Sequence, residues 1–343
     1  MFKSFQARGL LCTLLSIGSC LFANAQDIRF SQFYQAPLYL NPAFTGASDV
    51  GRAGLNYRLQ GTSSQSNYTT LSAFVDYNFV DYQINTGLLI LDDKDEFSGY
   101  NSTTIAIPVS YDFQVSDWLA IKPALQFSYT TNRINFGDIL FADQLDGQGN
   151  LVGLTAETFE GNNVNFLDVA FGTLVFGQNY WVGVAAHNLL ENNITFLAGG
   201  QEILQRRVSV HGGYRFDISG RGYGRQRRSR NAPERSIMPS VSLVTQGDFT
   251  QIDVGLYAMI DPVMLGAFYR NVPTGENDNN AVSIMAGVRK FGFTFGYSYD
   301  HYLNHTTVSP GGAHEFSLTY IFDLSDPNKP PKSSRLLKCP LPI

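Results

Sequence analysis

The sequence predicts an all-β protein, a transmembrane antiparallel β-barrel of the outer membrane with about 14 strands. Apolar and polar residues alternate with period two along most of the chain, as in strands whose two faces meet different surroundings. The alternating segments run about 10 to 14 residues, the length of a tilted strand that crosses a bilayer. Short turns and long loops alternate between these segments, as they do in outer-membrane barrels.

The alternation is clear in the segment where Ile105, Ile107 and Val109 alternate with Ala106 and Ser110. No comparable stretch shows the 3.6-residue period of an amphipathic helix. The predicted strands lie near residues 49–60, 68–80, 83–92, 102–115, 118–131, 164–177, 180–190, 204–217, 235–246, 249–259, 262–271, 279–291, 292–301 and 313–323. The apolar faces are expected to meet lipid, and the polar faces to line the interior. Polar residues expected inside include Asp76, Asn78, Asp112, Gln126, Asp253 and Asp300.

The connections form two classes. If the chain starts in the periplasm, the strands that return there should end in short turns, and the opposite face should carry longer loops. The short turns are Asp81-Tyr82, Ser116-Asp117, Gln178-Asn179, Ile260-Asp261 and Phe291-Gly292. The longer loops are 93–101, 132–163, 191–203, 272–278 and 302–312. A soluble β-sandwich, the alternative fold, would bury the same faces but would explain neither the strand length nor this asymmetry.

The composition excludes several classes of protein. Only 15% of the 343 residues are charged, against about 25% in soluble domains, and 13% are aromatic. Disordered chains have the opposite balance. The formal net charge of −5 and the lack of a dominant basic stripe argue against a nucleic-acid partner.

Residues 1–25 read as a Sec-type signal peptide. Lys3 and Arg8 supply positive charge before an apolar run, and Ala23-Asn24-Ala25 fits a cleavage site. A membrane anchor and lipoprotein processing at Cys20 are the alternatives. Cleavage after Ala25 leaves Cys339 as the one cysteine, so no internal disulfide is expected.

Residues 26–48 are predicted to form a segment that packs against the barrel. Ala36-Pro37 and Asn41-Pro42 favour extended or turn geometry, and aromatic residues are frequent without strand-length alternation. The hypothesis is a partial plug in the periplasmic mouth or the lumen, with a disordered leader as the alternative. The contact candidates are Phe30, Phe33, Tyr34, Tyr39, Asn41 and Pro42.

One predicted periplasmic turn, residues 218–234, breaks the pattern of short turns. Its arginines, among them Arg225, Arg227 and Arg228, form either a solvated insertion or a docking patch for an acidic periplasmic partner. The barrel is expected to span residues 49–323, followed by a periplasmic tail at 324–343. Cys339 in that tail is a candidate structural or partner-contact residue.

No motif assigns catalysis or a cofactor. His301 and His305 lie in a predicted loop, and the acidic stretch 92–96 reads as a surface loop without the spacing of a calcium site. Hydrolase, nucleotide-binding and metalloprotease motifs are absent from the sequence. A lipid hydrolase with a Ser–His pair in the barrel wall is an alternative, but the sequence assigns no such Ser–His pair. The sequence therefore predicts a non-enzymatic protein with no cofactor and no small-molecule ligand.

Both ends of the chain resemble a known family. The opening Gln26-Asp27-Ile28-Arg29-Phe30-Ser31-Gln32-Phe33-Tyr34, continued by 37–46, resembles the start of the PorP/SprF family of Bacteroidetes outer-membrane proteins. Residues 52–58 resemble its first strand, and 295–300 with 311–318 resemble its last hairpin. Lys338-Cys339-Pro340 resembles its C-terminal signature. The Arg-rich turn and the final Ile343 depart from the family pattern.

The resemblance implies an accessory of the type IX secretion system. Such a protein would help to secrete or surface-anchor particular cargo, such as large adhesins used in gliding motility. Its expected partners are outer-membrane lipid, type IX components and a secreted cargo protein. The alternative function is a passive or substrate-specific outer-membrane channel, since a barrel of about 14 strands is wide enough for a ligand path if the lumen is open.

Overall fold

A single antiparallel sheet closes on itself to form the barrel. The computed structural model describes residues 28–48, 50–61, 67–136, 158–218, 235–273, 280–303, 311–323 and 337–340, with 139, 141–146, 150–151, 153 and 155. The strands are β1 (Gly51–Gln60), β2 (Tyr68–Phe79), β3 (Ile84–Asp95), β4 (Tyr100–Tyr111), β5 (Phe113–Ser116), β6 (Leu119–Arg133), β7 (Asn163–Phe176), β8 (Tyr180–His187), β9 (Arg207–Tyr214), β10 (Phe216–Asp217), β11 (Arg235–Gln246), β12 (Phe249–Ile260), β13 (Val263–Asn271), β14 (Ala281–Lys290), β15 (Phe293–Tyr302) and β16 (Ala313–Phe322).

These segments make a closed 14-strand barrel, which confirms the predicted fold. β4 and β5 both pair with β6, and β9 and β10 both pair with β11, so each couple is one interrupted strand. The first and last strands close the ring, with Gly51 opposite Phe322 and Gln60 opposite Ala313. Closure leaves no unpaired edge, which is the condition for a sheet to lie in hydrocarbon.

The burial pattern is the reverse of that in a soluble protein. On β1, Leu55 and Tyr57 are exposed on the outside, whereas Arg52, Asn56 and Arg58 are buried inside. Apolar side chains on the outer face carry no free-energy cost of exposure in a membrane, because the lipid tails around them are equally apolar. The predicted distribution, with apolar faces outward and polar faces inward, is therefore present in the described strands.

The two ends of the barrel differ as predicted. At one end, here called the turn end, β2–β3, β5–β6, β7–β8, β12–β13 and β14–β15 are joined by two to four residues. The opposite end, here called the loop end, carries the long connections between β6 and β7 and between β8 and β9. At this end β3–β4 and β11–β12 are joined by only four and two residues, so the predicted long loop 93–101 is a short turn. Exposed aromatic side chains ring the turn end at Tyr82, Trp118, Phe216 and Phe291.

Two local predictions were wrong. The acidic stretch read as a surface loop is mostly strand, since β3 continues to Asp95. Polar neighbours make this extension possible, because Thr103 and Asn101 on β4 donate hydrogen bonds to Asp92 at 2.7 and 3.0 Å. His301, read as a loop histidine although it ends the predicted strand 292–301, lies in β15 opposite Val282 of β14.

Helical structure is short within the described residues. A one-turn helix α1 (Pro37–Leu40) and a 3-10 turn (Pro42–Phe44) precede β1, and a second 3-10 turn (Ala142–Gln144) lies in the β6–β7 loop. Within the described ranges, no helix has the length and apolar character needed to cross a membrane.

Candidate functional site

Residues 28–48, here called the plug segment, run through the lumen along the barrel axis. Ser31 contacts the loop-end half of β15 and β16, through Asp300 and Glu315. Gly46 contacts the turn-end half of β2, where its backbone N–H donates to Asp76 at 2.6 Å. Most of the intervening residues are buried against the wall. The segment therefore enters at the loop end and reaches the turn end before β1 begins.

A buried charge network lies beside the first residues of the plug segment. Arg58 pairs with Asp300 at 3.0 Å and with Glu315 at 3.2 Å. Arg270 pairs with Asp253 at 2.9 Å and with Asp300 at 3.2 Å. All five side chains are almost completely buried. Because each charge has a counter-charge within hydrogen-bond distance, the network can persist away from bulk water.

The plug segment is part of this network. The backbone N–H groups of Ser31 and Gln32 donate to the Glu315 carboxylate at 2.7 and 3.1 Å. The Ser31 hydroxyl bonds Asp300 and accepts from Arg58 at 2.7 Å. The Gln32 side chain donates to Ser298 and accepts from Ser317. Strands from both sides of the barrel closure thus hold one dipeptide in place.

Aromatic packing holds the middle of the plug segment. Tyr34 is fully buried, and the Trp181 indole N–H donates to its hydroxyl at 3.1 Å. Burial raises the pKa of Tyr34 above its usual range, so the hydroxyl stays neutral. Rings within T-shaped or tilted contact distance of Phe33 or Tyr34 belong to Phe44, Trp181, Tyr257 and Phe268. Edge-to-face contacts of this kind add to the energy of apolar burial.

A second ion pair holds the turn-end part. Arg52 and Asp76 form a bidentate pair at 2.9 and 3.1 Å with both side chains fully buried. Arg52 also donates to the Phe44 carbonyl at 3.2 Å, and Ser110 donates to the Thr45 carbonyl at 3.0 Å. The last turn of the plug segment is therefore fixed to β1, β2 and β4.

Asn41 fixes the bend between α1 and the 3-10 turn. Its side-chain amide lies 3.2 Å from the carbonyls of Thr173 and Val184 and 3.1 Å from His211 Nε2. Its carbonyl oxygen accepts from the Ala43 N–H at 2.8 Å and caps the 3-10 turn. One side chain thus joins the plug segment to β7, β8 and β9.

Substituting Gly172→Ala is expected to loosen this contact. A Cβ atom at residue 172 would lie 2.1 Å from Asn41 Oδ1 and 2.9 Å from Pro42 Cγ, so the plug segment must shift. Overpacking of this kind costs about 1–3 kcal/mol. Urea unfolding of the purified barrel measures the loss. Gly153→Ala is the matched control, since its Cβ would meet no heavy atom within 4 Å. Equal stability of the two variants would contradict the contact.

The described part of the C-terminal tail closes over the turn end. Leu337 and Cys339 pack against the plug's hydrophobic cluster, and both line a small cavity with Ala47, Lys122 and Phe176. Lys122 is paired with Asp112 at 2.9 Å beside them. Burial raises the pKa of the Cys339 thiol to about 12, although Lys122 and Arg52 act in the opposite direction.

Maleimide labelling of Cys339 is expected to be slow in the folded barrel. Burial raises the thiol pKa to about 12 and so lowers the fraction of reactive thiolate between pH 7 and 8; because the side chain is only partly buried, labelling should be slower than in the unfolded chain by about tenfold or more. Near neutral pH the labelling rate should rise with pH as the thiolate fraction grows, and urea should restore rapid labelling. A rate at pH 7.5 equal to that of the unfolded chain would show that the tail does not pack here.

The sequence-predicted site residues fall into three groups. Phe30, Phe33, Tyr34, Tyr39, Asn41 and Pro42 all lie in the plug segment, and Cys339 lies at the turn end. Arg225, Arg227 and Arg228 lie outside the described residues, as do residues 1–27 and 324–336. Sequence reasoning missed Arg52, Arg58, Arg270 and Glu315. Their signal was available, since each is a charged residue on the inward face of a predicted strand.

Among the described residues, no group of three His, Cys, Asp or Glu side chains is placed so that it could bind a metal ion. His314 on β16 contacts the Tyr297 hydroxyl at 2.8 Å. His187 and His211 are buried in the barrel wall.

Comparison with known proteins identifies the family. The family described as "Type IX secretion system membrane protein PorP/SprF" matches residues 22–320. The chain belongs to the PorP/SprF family. This confirms the resemblance read from the two ends of the sequence, and it makes the protein a type IX secretion-associated outer-membrane barrel. No curated protein matches the chain.

Several solved outer-membrane barrels are similar to this PorP/SprF protein in fold. Omp33 of Acinetobacter baumannii is 9% identical, with a TM-score of 0.45, covering 80% of this chain and 98% of its own. A deletion mutant of the monoaromatic hydrocarbon channel TodX is 10% identical, with a TM-score of 0.47, covering 83% and 92%. A FadL homologue of Pseudomonas aeruginosa is 12% identical, with a TM-score of 0.42, covering 82% and 93%.

Proposed function

We propose that this PorP/SprF barrel is a non-enzymatic accessory that assists secretion or surface attachment of a specific cargo, such as a large adhesin used in gliding. Family membership supports the link to type IX secretion. The observation that carries the choice between accessory and channel is the plug segment, whose buried residues occupy the lumen from Ser31 to Gly46. A protein whose lumen is filled in this way acts through its surfaces and partners.

The loop end offers a surface for such a partner. An antiparallel bridge between Phe159 and Leu197 links the β6–β7 loop to the β8–β9 loop, and a second bridge between Asn193 and Ile203 closes the β8–β9 loop on itself. Phe136 stacks on Phe159 at 3.8 Å between ring centroids and contacts Phe196 edge-on at 5.9 Å. Apolar side chains stay exposed around this cluster, at Leu145, Leu151, Leu197 and Ile203. In outer-membrane barrels the long loops face the cell exterior, where a secreted cargo arrives.

The channel hypothesis has weaker support. A channel would need a continuous water path, whereas Phe74, Tyr257 and Trp181 point inward and pack with the plug segment or beside it. In a gated channel the plug segment would have to leave the lumen, which would break its contacts with the two buried ion-pair networks and the aromatic packing described above.

Gene deletion followed by mass spectrometry of surface and spent-medium proteins tests the proposal. The expected result is loss of one or a few large surface proteins while other exports continue. Complementation with the wild-type gene should restore them, and complementation with a variant carrying charged residues at Leu151, Leu197 and Ile203 should not, although its barrel folds. An unchanged surface proteome would refute the accessory function and leave solute uptake as the activity to measure.

A further inference from the structure

A cavity opens at the loop end between the plug segment and one side of the wall. Its empty volume, including the mouth, is about 600 Å³. The plug segment supplies one side of it, from Ile28 to Leu40, and β9, β11 and β12 supply the other. Gln246 and Phe249, which flank the β11–β12 turn, place its mouth at the loop end.

Two features of the lining define the chemistry. The rings of Phe30, Phe33, Tyr39 and Phe249 give the cavity an aromatic wall. Two guanidinium groups also line it, and each lies over one of these rings. The Arg29 guanidinium carbon is 3.5 Å from the centroid of Phe249, and that of Arg207 is 4.2 Å from the centroid of Tyr39. Stacking fixes the plane of a guanidinium, which suits it for carboxylate recognition.

Hydrogen bonds also hold both arginines in position. Arg29 donates to the Gln251 side chain at 2.9 Å, and Arg207 donates to the Tyr39 carbonyl at 3.2 Å. The one carboxylate in the lining, Asp253, is paired with Arg270 at 2.9 Å. Burial, and to a smaller extent the neighbouring Arg270, lower the pKa of Arg29 to about 10, while Asp253 acts in the opposite direction, so Arg29 stays protonated near neutral pH. An anion entering the cavity would stabilise this buried charge.

We propose that this cavity binds a small carboxylate with an aromatic or apolar body, the carboxylate lying against Arg207 and Arg29 and the body against the rings. An arginine in a partly buried site binds carboxylate more strongly than it would in water, because the charge-assisted hydrogen bonds are shielded from solvent. Such a ligand has two sources, a free small acid or the terminal residue of a polypeptide.

The proposal is tested by titrating 3-phenylpropionate into the full-length barrel in detergent and measuring the binding affinity by calorimetry. Its alcohol, 3-phenylpropan-1-ol, has the same ring without the charge and should bind at least about tenfold more weakly, a difference of 1.4 kcal/mol. Acetyl-glycyl-phenylalanine with a free carboxylate separates the two sources, since tighter binding of the peptide indicates a polypeptide end and tighter binding of the acid indicates a free molecule.

Two variants locate the binding. Arg207→Gln should weaken 3-phenylpropionate binding about tenfold or more, and Arg206→Gln, a neighbour whose side chain is 55% exposed, should leave it unchanged. Val244→Phe fills the cavity without changing charge and should abolish binding. This variant keeps Arg207, so it tests the cavity independently of any disturbance that Arg207→Gln causes in the plug segment. Absence of binding by both carboxylates, equal binding of the alcohol, or unchanged binding by Val244→Phe would overturn the proposal.

Discussion

Removing residues 28–46 is expected to turn a closed barrel into a conducting pore. The segment buries its aromatic side chains against Trp181, Tyr257 and Phe268, and its loss leaves an unfilled lumen lined by these rings and by the polar side chains of the inward strand faces. Barrels of this strand number enclose space for water and ions once their interior is unfilled. In planar bilayers, the conductance of the deletion variant should exceed that of the intact barrel by about tenfold or more.

Controls separate an open lumen from a misfolded barrel. Heat-modifiable migration on gels reports whether the deletion variant still closes, and shortening the loop by residues 198–200 tests whether any deletion causes leakage. If the deletion variant does not fold, the double substitution Arg52→Ala with Arg58→Ala keeps the whole chain and weakens both ends of the plug segment, so intermittent openings are expected. A folded deletion variant that stays closed would refute the plug assignment.

Substituting Arg58→Ala is expected to cost about 3–5 kcal/mol in the free energy of unfolding. Arg58 neutralises Asp300 and Glu315 in the closed wall, and it donates to Ser31 of the plug segment. Its loss leaves Glu315 buried beside Asp300 without that cation, although Arg270 still contacts Asp300. Urea unfolding measures the effect, and hydrogen exchange at residues 31–34 should increase because their anchor is weakened.

Arg206→Ala is the matched control for this prediction. Arg206 forms a salt bridge with Glu191 at 2.9 Å, but both side chains are about half exposed, so its loss should cost at most about 1 kcal/mol. Arg58→Lys should give an intermediate result, since it restores the charge but cannot reproduce the forked contact with two carboxylates. Similar losses for Arg58→Ala and Arg206→Ala would show that the network contributes little.

Much of the wall follows from local sequence. Side chains such as Ile105 and Ser110 choose opposite faces because successive strand residues point to opposite sides, a rule that needs no knowledge of neighbours. Strand length predicts a sheet that crosses a membrane, and the alternation of short turns with long loops supports the count of strands. The error at β3 came from the same local view. Asp92 reads as loop, but Asn101 and Thr103 on β4 donate hydrogen bonds to its carboxylate in the strand.

The contents of the lumen required the closed structure. Arg58 and Glu315 are 257 residues apart in sequence and meet only because β1 pairs with β16. Asn41 reaches Val184 across 143 residues. Nothing in the sequence near either residue indicates that the two are in contact. The sequence predicted no small-molecule cavity because the plug segment and strands β9, β11 and β12 form it jointly.

The sequence by itself determined the fold class, the strand count, the two faces of the wall and the family. Those properties rest on periods of two residues and on short motifs, so each is encoded within one stretch of chain. The tertiary structure alone decided the path of the plug segment, the pairing of inward charges and the cavity beside Arg207. These depend on the register in which distant strands close the ring, because closure sets which inward side chains face one another across the lumen.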